Sequence, residues 1–422
     1  MEKDIKKPQI RFQGFTEEWE QHKFKNTVAI ERGGSPRPIE NFITDSEDGL
    51  NWVKIGDAPE QGNYITKTKE KIKSEGLTKT REVHPGDLIL SNSMSFGKPY
   101  IMGIDGCIHD GWLLIRDVNE IFDLKYLCCM LGTEQMLSQY KAMAAGSTVN
   151  NLNKELVGNT IIKYPSKNEQ MQIGKFFSQV DNLITLHQRK YDSLIKVKKS
   201  MLEKMFPKSG DKKPEIRFVG FTDDWKQHKI EDMCTIVTKQ TGFDYTNTIK
   251  KSLLNNKEDN TLPYIQTKNF SGIEFDYNTD YYIPIDVANQ FEKIILDSKC
   301  LLFSIVGASV GNIAFFPNTT KCFLSGAICV AKPQNENDTA FMYYYMSSDC
   351  GQKQIKTVTK GSGQATVTIE DIRKFNIALP SQDEIEQISN FLYKFDNLIS
   401  LHQRKLNLLK NIKKAMLEKM FV

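Results

Sequence analysis

The 422-residue sequence has few cysteines and no arrangement of them typical of a metal or redox site. Its eight cysteines are scattered and form no CxxC pair, so zinc ribbons and thioredoxin-like chemistry are not expected. The simplest interpretation is that they are buried, reduced thiols of a cytoplasmic protein. The sequence has no run of about 18 apolar residues and no apolar segment at its start, so neither a membrane span nor a signal peptide is expected.

Catalytic motifs are missing as well. There is no GxxxxGK[ST] P-loop, the GASVG run at Gly307–Gly311 lacks dinucleotide-binding spacing, and no [DN]PP[YF] tetrapeptide of an amino-group methyltransferase occurs. Cys107 and His109 are close in sequence, but no acid partner for a thiol protease is evident. Combined with the duplication described below, these absences favour a binding protein over an enzyme, and no cofactor and no metal are expected in this chain.

Neither sign of charge is in large excess, since the formal net charge is only +4. The whole chain is therefore not a polycation. A nucleic-acid surface would have to come from local clusters of lysine and arginine.

A duplicated apolar stripe is the most informative feature that is present. The segments Gln170–Phe206 and Gln382–Val422 both contain DNLI, LHQRK and MLEKMF, and the second copy follows the first by 215 residues in the LHQRK motif. The heptad pattern of their apolar residues predicts two long helices, each with an apolar face that packs against another helix. The residues predicted to pack between them are Ile173, Phe176, Val180, Leu183, His187, Leu194, Ile388, Phe391, Phe395, Leu398, His402 and Leu409.

Two of these positions are histidines in the middle of the stripe, His187 and His402. A polar residue at an a position commonly fixes the register between two helices, and we favour that role. A pH-sensitive or metal-binding pair is the alternative.

A second repeat precedes each helix. PQIRFQGFTEEWEQHK at Pro8–Lys23 recurs as PEIRFVGFTDDWKQHK at Pro214–Lys229. The chain is thus two tandem copies of a leader, a globular body and a long helix. The predicted domains are a leader at 1–24, a first body at 25–166, a long helix at 167–208, a linker with the repeated leader at 209–228, a second body at 229–380 and a long helix at 381–422.

The two bodies share a weaker pattern of short apolar runs separated by Gly, Asn and Ser, which predicts strands and turns. Helices are expected at 124–143 and 340–356. Each body closes with a Gly/Ser turn, a short helix and a strand that ends at Pro165 or Pro380. We therefore predict mixed α/β bodies.

Local composition suggests contacts to nucleic acid. Lys67 and Lys69 belong to a lysine-rich stretch at 66–81, and Lys239 has Thr neighbours in the second body. Such loops suit phosphate contacts, although a solvated surface is the alternative. Small polar residues beside glycine permit close approach to a DNA groove, or form an ordinary strand and turn. These are Ser91, Ser93 and Ser304.

Taken in order and in duplicate, these motifs resemble the specificity subunit of bacterial Type I restriction-modification systems over nearly the whole chain. The matching segments are the leaders Ile10–Trp19 and Ile216–Trp225, ERGGSPRP at Glu31–Pro38, PGDLILS at Pro85–Ser91 and the DNLI/LHQRK/MLEKMF helices.

The resemblance implies an α+β fold in which two tandem mixed α/β target-recognition domains are separated by two long helices that form an intramolecular antiparallel coiled coil. Each body would read one half of a split site in double-stranded DNA, and helix length would set the unspecific spacer. The chain would be non-catalytic. It would dock modification subunits, two of them, which use S-adenosylmethionine to methylate adenine. Restriction subunits, which use ATP and Mg²⁺ to translocate and cut DNA, would join the complex.

The resemblance also suggests base-contacting candidates. In the first body they are Ser35, Arg37, Lys54 and Asp57. In the second body VTKQTGFDYT at Val237–Thr246 replaces the GG-S-P loop, and the candidates are Lys239, Thr241, Gln266, Lys268 and Asn269. Arg and Lys suit guanine edges, and Gln and Asn suit adenine edges. An interaction scaffold without sequence-specific DNA recognition, and an unrecognised nuclease, remain the alternatives.

Overall fold

The computed structural model describes residues 7–93, 97–144, 152–208, 210–272, 274–361 and 365–422. Its contacts divide the chain into two compact units. The first unit consists of Met1–Lys190 with His402–Val422, and the second unit consists of Tyr191–Leu401. Each unit therefore combines one body with part of both long helices. The predicted Gly/Ser turns before the closing helices fall largely on residues 145–151 and 362–364, which lie outside the described residues.

The first body is built mostly from short strands. They are β1 (Glu20–Lys23), β2 (Ala29–Arg32), β3 (Ile43–Thr44), β4 (Leu50–Val53), β5 (Tyr64–Ile65), β6 (Glu70–Ile72), β7 (Arg81–Val83), β8 (Leu88–Ser91), β9 (Pro99–Met102), β10 (Gly106–Ile108), β11 (Trp112–Arg116) and β12 (Ile161–Tyr164). The helices that follow are α1 (Leu124–Leu131), α2 (Glu134–Ala144), α3 (Lys154–Gly158) and the long α4 (Lys167–Lys204).

The second body repeats this composition. Its strands are β13 (Lys226–Lys229), β14 (Cys234–Lys239), β15 (Thr261–Ile265), β16 (Phe270–Ser271), β17 (Glu274–Phe275), β18 (Tyr282–Pro284), β19 (Ile295–Leu296), β20 (Cys300–Ser304), β21 (Ile313–Phe316), β22 (Cys322–Leu324), β23 (Ile328–Pro333) and β24 (Asn376–Leu379). Its helices are α5 (Ile230–Met233), α6 (Gly242–Asp244), α7 (Lys250–Ser252), α8 (Ile285–Ala288), α9 (Thr339–Ser347), α10 (Asp349–Val358), α11 (Ile369–Arg373) and the long α12 (Gln382–Met420).

The sheets of the two bodies follow the same plan. The first body has the strand orders β2-β11-β8-β9-β5 and β3-β6-β4-β10-β7, and the second has β14-β23-β20-β21 and β18-β15-β22-β19. In each copy the strand at the end of the leader pairs with the last strand of the body, β1 with β12 and β13 with β24. The central strands β8 and β20 are buried along their whole length, as expected for continuous apolar runs between two covered faces.

The two long helices confirm the prediction from the heptad pattern. Within the first unit Asp181 accepts a hydrogen bond from Lys413 at 2.6 Å, and the His187 and His402 Nδ1 atoms lie 2.8 Å apart. Residue numbers rise on one helix as they fall on the other, so the pair is antiparallel. Within the second unit Lys198 of α4 meets Asp396 of α12 at 2.5 Å.

Two predicted packing positions need correction. Leu183 is 45% exposed and Leu398 is 44% exposed, whereas Leu392 and Leu406, which the heptad assignment omitted, are buried. An α-helix has 3.6 residues per turn, so its buried face drifts away from a strict seven-residue repeat over a helix of this length.

A repeated ion pair holds each leader against the start of a long helix. The Arg11 guanidinium donates to both carboxylate oxygens of Glu169 at 2.7 Å, and Arg217 does the same to Glu384 at 2.7 Å. Both glutamates are fully buried. The recurrence explains why the IRF leader is so similar in the two copies.

The end of each long helix packs against a leader tryptophan. Phe421 lies 6.2 Å from Trp19 in the first unit, and Phe206 lies 6.2 Å from Trp225 in the second, measured between ring centroids. Main-chain bonds repeat the pattern, from Ile10 N to Lys419 O at 3.0 Å and from Ile216 N to Lys204 O at 2.9 Å. The first leader thus docks on the C-terminal helix, and the second leader docks on the central helix.

The structure also differs from the sequence-based helix predictions within the bodies. The segment expected as one helix at 124–143 is two helices, α1 and α2, with Gly132 capping the first. The segment at 340–356 is likewise split into α9 and α10 at Ser348. Among the described residues no helix is long and apolar enough to cross a membrane.

Candidate nucleic-acid interface

Three loops converge at one end of the sheets in each body. In the first body, β2 pairs antiparallel with β11, β4 pairs parallel with β10, and the short segment 109–111 joins β10 to β11. The loop after β2, the turn after β4 and this segment therefore meet. Main-chain bonds close the junction, from Gly34 N to Ile108 O at 3.1 Å and from His109 N to Val53 O at 3.1 Å.

The two glycines of ERGGSPRP are required by this close approach. A Cβ atom on Gly33 would lie 2.2 Å from the His109 carbonyl oxygen, and one on Gly34 would lie 2.2 Å from the Lys79 carbonyl oxygen. Any side chain there would force the loop away from its neighbours. The two glycines of this motif therefore serve the backbone packing of the three-loop junction in the first body, which we call the first site.

Asp110 organises the polar groups of the first site. Ser35 donates to its Oδ1 at 3.0 Å, and Arg37 reaches its Oδ2 at 3.9 Å with a side chain that is 82% exposed. His109 Nδ1 lies 3.0 Å from the same carboxylate. Burial lowers the pKa of His109; Asp110 opposes that shift, and Lys54, Arg37 and Arg32 add to it.

Lys54 and Asp57 lie at the neighbouring turn. Lys54 pairs with Glu70 and lies 5.7 Å from the centre of the Trp52 ring. Asp57 accepts from the backbone N–H groups of Lys54 at 2.8 Å and Lys69 at 3.1 Å, so its carboxylate supports the turn.

The second body forms a site at the same place. The residues after β14, the turn after β15 and the segment after β22 line a cleft of about 730 Å³. Predicted residues Lys239, Thr241 and Gln266 all line it, together with Lys250 and three tyrosines, Tyr245, Tyr264 and Tyr281. The structure thus brings together candidates that are separated by more than twenty residues in sequence.

Several predicted contacts are not displayed to solvent. Ser91 is fully buried and accepts from Lys98 N at 3.0 Å. Asn269 is fully buried, accepts from Gln266 N and donates to two carbonyl groups. Ser304 is 2% exposed and lies 2.8 Å from Ser309 Oγ. Because these three side chains already serve the fold, we withdraw them as DNA contacts.

The remaining candidates lie on the periphery. Lys67 and Lys69 are exposed on the segment that leads to β6. Lys268 is exposed and pairs with Asp280. Ser93 is partly buried and adjoins residues 94–96, which lie outside the described residues.

Sequence reasoning missed four residues that lie in these sites: Asp110, Gln240, Tyr264 and Ser325. A signal was available. The segments CIHDGW at Cys107–Trp112 and FLSGAI at Phe323–Ile328 each contain the end of a buried strand that pairs parallel with the strand before a turn. Aligning the two bodies on these segments would have drawn attention to Asp110 and Ser325.

The residues weighed for catalysis do not form a catalytic centre. Cys107 is fully buried, and burial raises the pKa of its thiol to about 11, so a thiolate is disfavoured at neutral pH. Among the described residues, no cluster of three or more His, Cys, Asp or Glu side chains could hold a metal ion.

Comparisons with known proteins agree with this architecture. The MjaVIII type I restriction enzyme specificity subunit of Methanocaldococcus jannaschii is 24% identical in an alignment of 348 positions that covers 79% of this chain and 78% of that protein. The MjaX specificity subunit of the same organism is 24% identical in an alignment of 444 positions that covers 99% of this chain and 95% of that protein.

Solved structures have the same fold. The S subunit of a Type I restriction-modification system from M. genitalium superposes with a TM-score of 0.60 at 14% identity and covers 99% of each chain. A chain from a study of complex assembly and conformational transition of the type I R-M system gives a TM-score of 0.54 at 15% identity, covering 96% of this chain and 97% of that one.

The family comparison accounts for most of the sequence and for its duplication. Residues 16–196 and 222–411 each match the Type I restriction modification DNA specificity domain. The chain therefore belongs to the family of Type I restriction-modification specificity subunits and carries two copies of its DNA specificity domain.

Proposed function

We propose that the two bodies of this non-catalytic specificity subunit read the two halves of a split site in double-stranded DNA. One observation carries the proposal: the same three-loop junction occurs in both bodies, yet its side chains differ. Two domains that recognise different DNA sequences are expected to keep the same loop arrangement while their loop side chains differ. The predicted bodies, 25–166 and 229–380, remain our boundaries for these modules.

The side chains at the junctions support contact with DNA. Arg37 of the first site and Lys250 of the second are exposed, as phosphate-binding cations must be. Polar groups that suit base edges accompany these cations: Ser35 lies on the same loop as Arg37, and Gln266 lines the same cleft as Lys250. Phosphate contacts would fix the position on the duplex, and the loop side chains would select bases.

We assign the chemistry to partner subunits. Two modification subunits that carry S-adenosylmethionine would dock on this chain and methylate adenine in the target. Restriction subunits that use ATP and Mg²⁺ would join them to cleave DNA, and the complex would act in the cytoplasm. The family match and the type I R-M relatives support this assignment, which follows from the resemblance rather than from any group in the present chain.

A body exchange tests the proposal directly. Residues 25–165 are replaced by the first body of another family member, and the exchanged chain is produced with its modification subunits. Sequencing of methylated adenines should show a new first half-site and an unchanged second half-site, because each body reads independently. A change in both half-sites would refute independent reading.

Two simpler measurements separate the alternatives. Binding to the split site should weaken steeply as salt rises, with the modification subunits present. An interaction scaffold would bind its partners without any sequence preference. Turnover of DNA by the purified chain alone, with S-adenosylmethionine, ATP and Mg²⁺ added, would instead indicate an unrecognised enzyme.

A further inference from the structure

The cleft of the second body is lined by two buried polar groups that have no hydrogen-bond partner among the residues that the structure describes. Gln240 is 3% exposed and Ser325 is 6% exposed, and both line the cleft. Within the described part of the chain, neither the Gln240 Nε2 amide nor the Ser325 hydroxyl has a hydrogen-bond partner. An unsatisfied buried donor costs about 1–3 kcal/mol, so natural proteins seldom keep two in one place without a use for them.

The orientation of Gln240 is set by a neighbouring tyrosine. The Tyr264 hydroxyl donates to Gln240 Oε1 at 3.1 Å. With its oxygen engaged, the side chain offers its NH₂ group as the available donor. Gly326 leaves space for this arrangement, since a Cβ atom there would lie 3.1 Å from Gln240 Oε1.

These two groups share one chemistry, since each can donate a hydrogen bond. A matching ligand must present acceptors. Adenine normally engages glutamine through both an acceptor and a donor, whereas guanine presents two acceptors, N7 and O6, in the major groove. Because both unpartnered groups can donate and Tyr264 already uses one lone pair of Gln240 Oε1, the guanine edge fits the site better than the adenine edge.

We propose that Gln240 and Ser325 are specificity-determining residues of the second body and recognise an acceptor-rich base edge, guanine in the first instance. This inference rests on the proposed function, and it adds the residues and the base chemistry of one half-site. Lys239 and Lys250, which line the same cleft, would hold the phosphate groups nearby.

The test uses the complete complex of this chain with its modification subunits, and it measures the sequence around methylated adenines. Gln240→Ala and Ser325→Ala should each relax one base position in one half-site by about tenfold, the effect of losing one base contact. The other half-site should not change. Gln240→Glu replaces the donor with an acceptor and should shift the same position towards cytosine, whose N4 group is a donor.

Ser389→Ala provides a matched control. Ser389 Oγ is also buried without a partner in the described chain, but it belongs to α12 and does not line this cleft. Its removal should leave the motif unchanged. Thermal unfolding should change little for Ser325→Ala, because the variant removes a hydroxyl that makes no bond.

The outcomes are distinguishable. A wild-type complex without a bipartite methylated motif would refute the proposed function itself. A normal wild-type motif that stays unchanged in Gln240→Ala, Gln240→Glu and Ser325→Ala would overturn only the present inference. Uniformly slower methylation with an intact motif would also overturn it, because that result indicates phosphate contacts rather than base recognition.

Discussion

At the scale of single residues, the most consequential side chains are those that appear twice. Arg11 and Arg217 make the same bidentate ion pair with a fully buried glutamate, and each also donates to a main-chain carbonyl six residues further along the leader. A buried carboxylate must keep a partner because its desolvation is costly. The arginine therefore ties the leader to the long helix.

Arg217→Ala should destabilise the protein by about 3–5 kcal/mol, because it leaves Glu384 buried and unpaired. Denaturant unfolding followed by circular dichroism measures the change. Lys204→Ala removes an ion pair of similar length, 2.8 Å to Glu215, that is partly exposed. This control should cost far less, because solvent screens an exposed ion pair. Equal losses in the two variants would show that the buried pair has no special role.

The His187–His402 pair predicts a pH dependence. Burial lowers the pKa of both imidazoles, and the cations Lys190 and Lys405 lower it further. The unfolded chain therefore binds protons at higher pH than the folded chain. The pair's contribution to stability is fully present above the unfolded pKa of about 6.5 and is lost as the pH falls below that value and through the lower folded pKa values.

The double variant His187→Leu with His402→Leu should therefore lose less stability than the wild type between pH 7 and pH 5. Thermal unfolding across this range measures the difference, which cancels contributions from other histidines such as His84. If the melting temperatures of the wild type and the double variant fall equally with pH, the prediction is wrong. The pair would then serve only to fix the register of the two helices.

At the scale of elements, each long helix serves two purposes along its length. Its first turns carry the glutamate that binds a leader arginine, and its end carries a phenylalanine that packs on a leader tryptophan. The phenylalanine contacts explain the repeat of MLEKMF. DNLI and LHQRK make repeated contacts of their own, because Asp181 and Asp396 pair with lysines of the facing helix and His187 meets His402. The repeated sequence follows the repeated contacts.

Phe421→Ala should cost about 3–5 kcal/mol, because Phe421 is 3% exposed and packs against Trp19, Tyr126 and Phe177. Denaturant unfolding is again the measurement. Phe243→Ala is a matched control, since Phe243 is 76% exposed and should change stability by no more than about 0.5 kcal/mol. A comparable loss in both variants would show that the end of α12 is not part of the core.

At the scale of the whole molecule, the proposal that helix length sets the DNA spacer makes a quantitative prediction. Inserting one heptad into both α4 and α12 adds about 10 Å of helix. At about 3.4 Å per base pair, the preferred spacer should lengthen by about three base pairs, with both half-sites unchanged. Sequencing of methylated adenines detects the change. An unaltered spacer in a folded, active complex would show that the helices do not measure distance.

Much of this architecture could be predicted from sequence, because its signals are local or repeated. The heptad pattern located α4 and α12, the duplicated leader revealed the tandem units, and Pro165 and Pro380 marked the strand ends before each long helix. The sequence analysis did not predict that the helices break at Gly132 and Ser348. The spacing of apolar residues indicates that a segment is helical, but it does not show where a turn caps the helix.

The sites were harder to predict, because they depend on contacts between distant strands. Composition and the family resemblance drew attention to Lys239, Thr241 and Gln266, which line the cleft of the second body. Neither could show that Ser91, Asn269 and Ser304 already serve the fold. Nor could composition single out Gln240 or Ser325. They matter because each lines the cleft with a buried polar group that has no hydrogen-bond partner among the described residues.

The sequence by itself determined that this protein is a tandem repeat with two long helices, because periodicity and duplication are properties of the chain that need no partner. Only the tertiary structure decided which side chains stand at the three-loop junctions. Strand pairing brings together segments that lie 55 to 99 residues apart. The hydrogen bonds of the buried side chains in these segments then show which of them support the fold and which could bind a ligand.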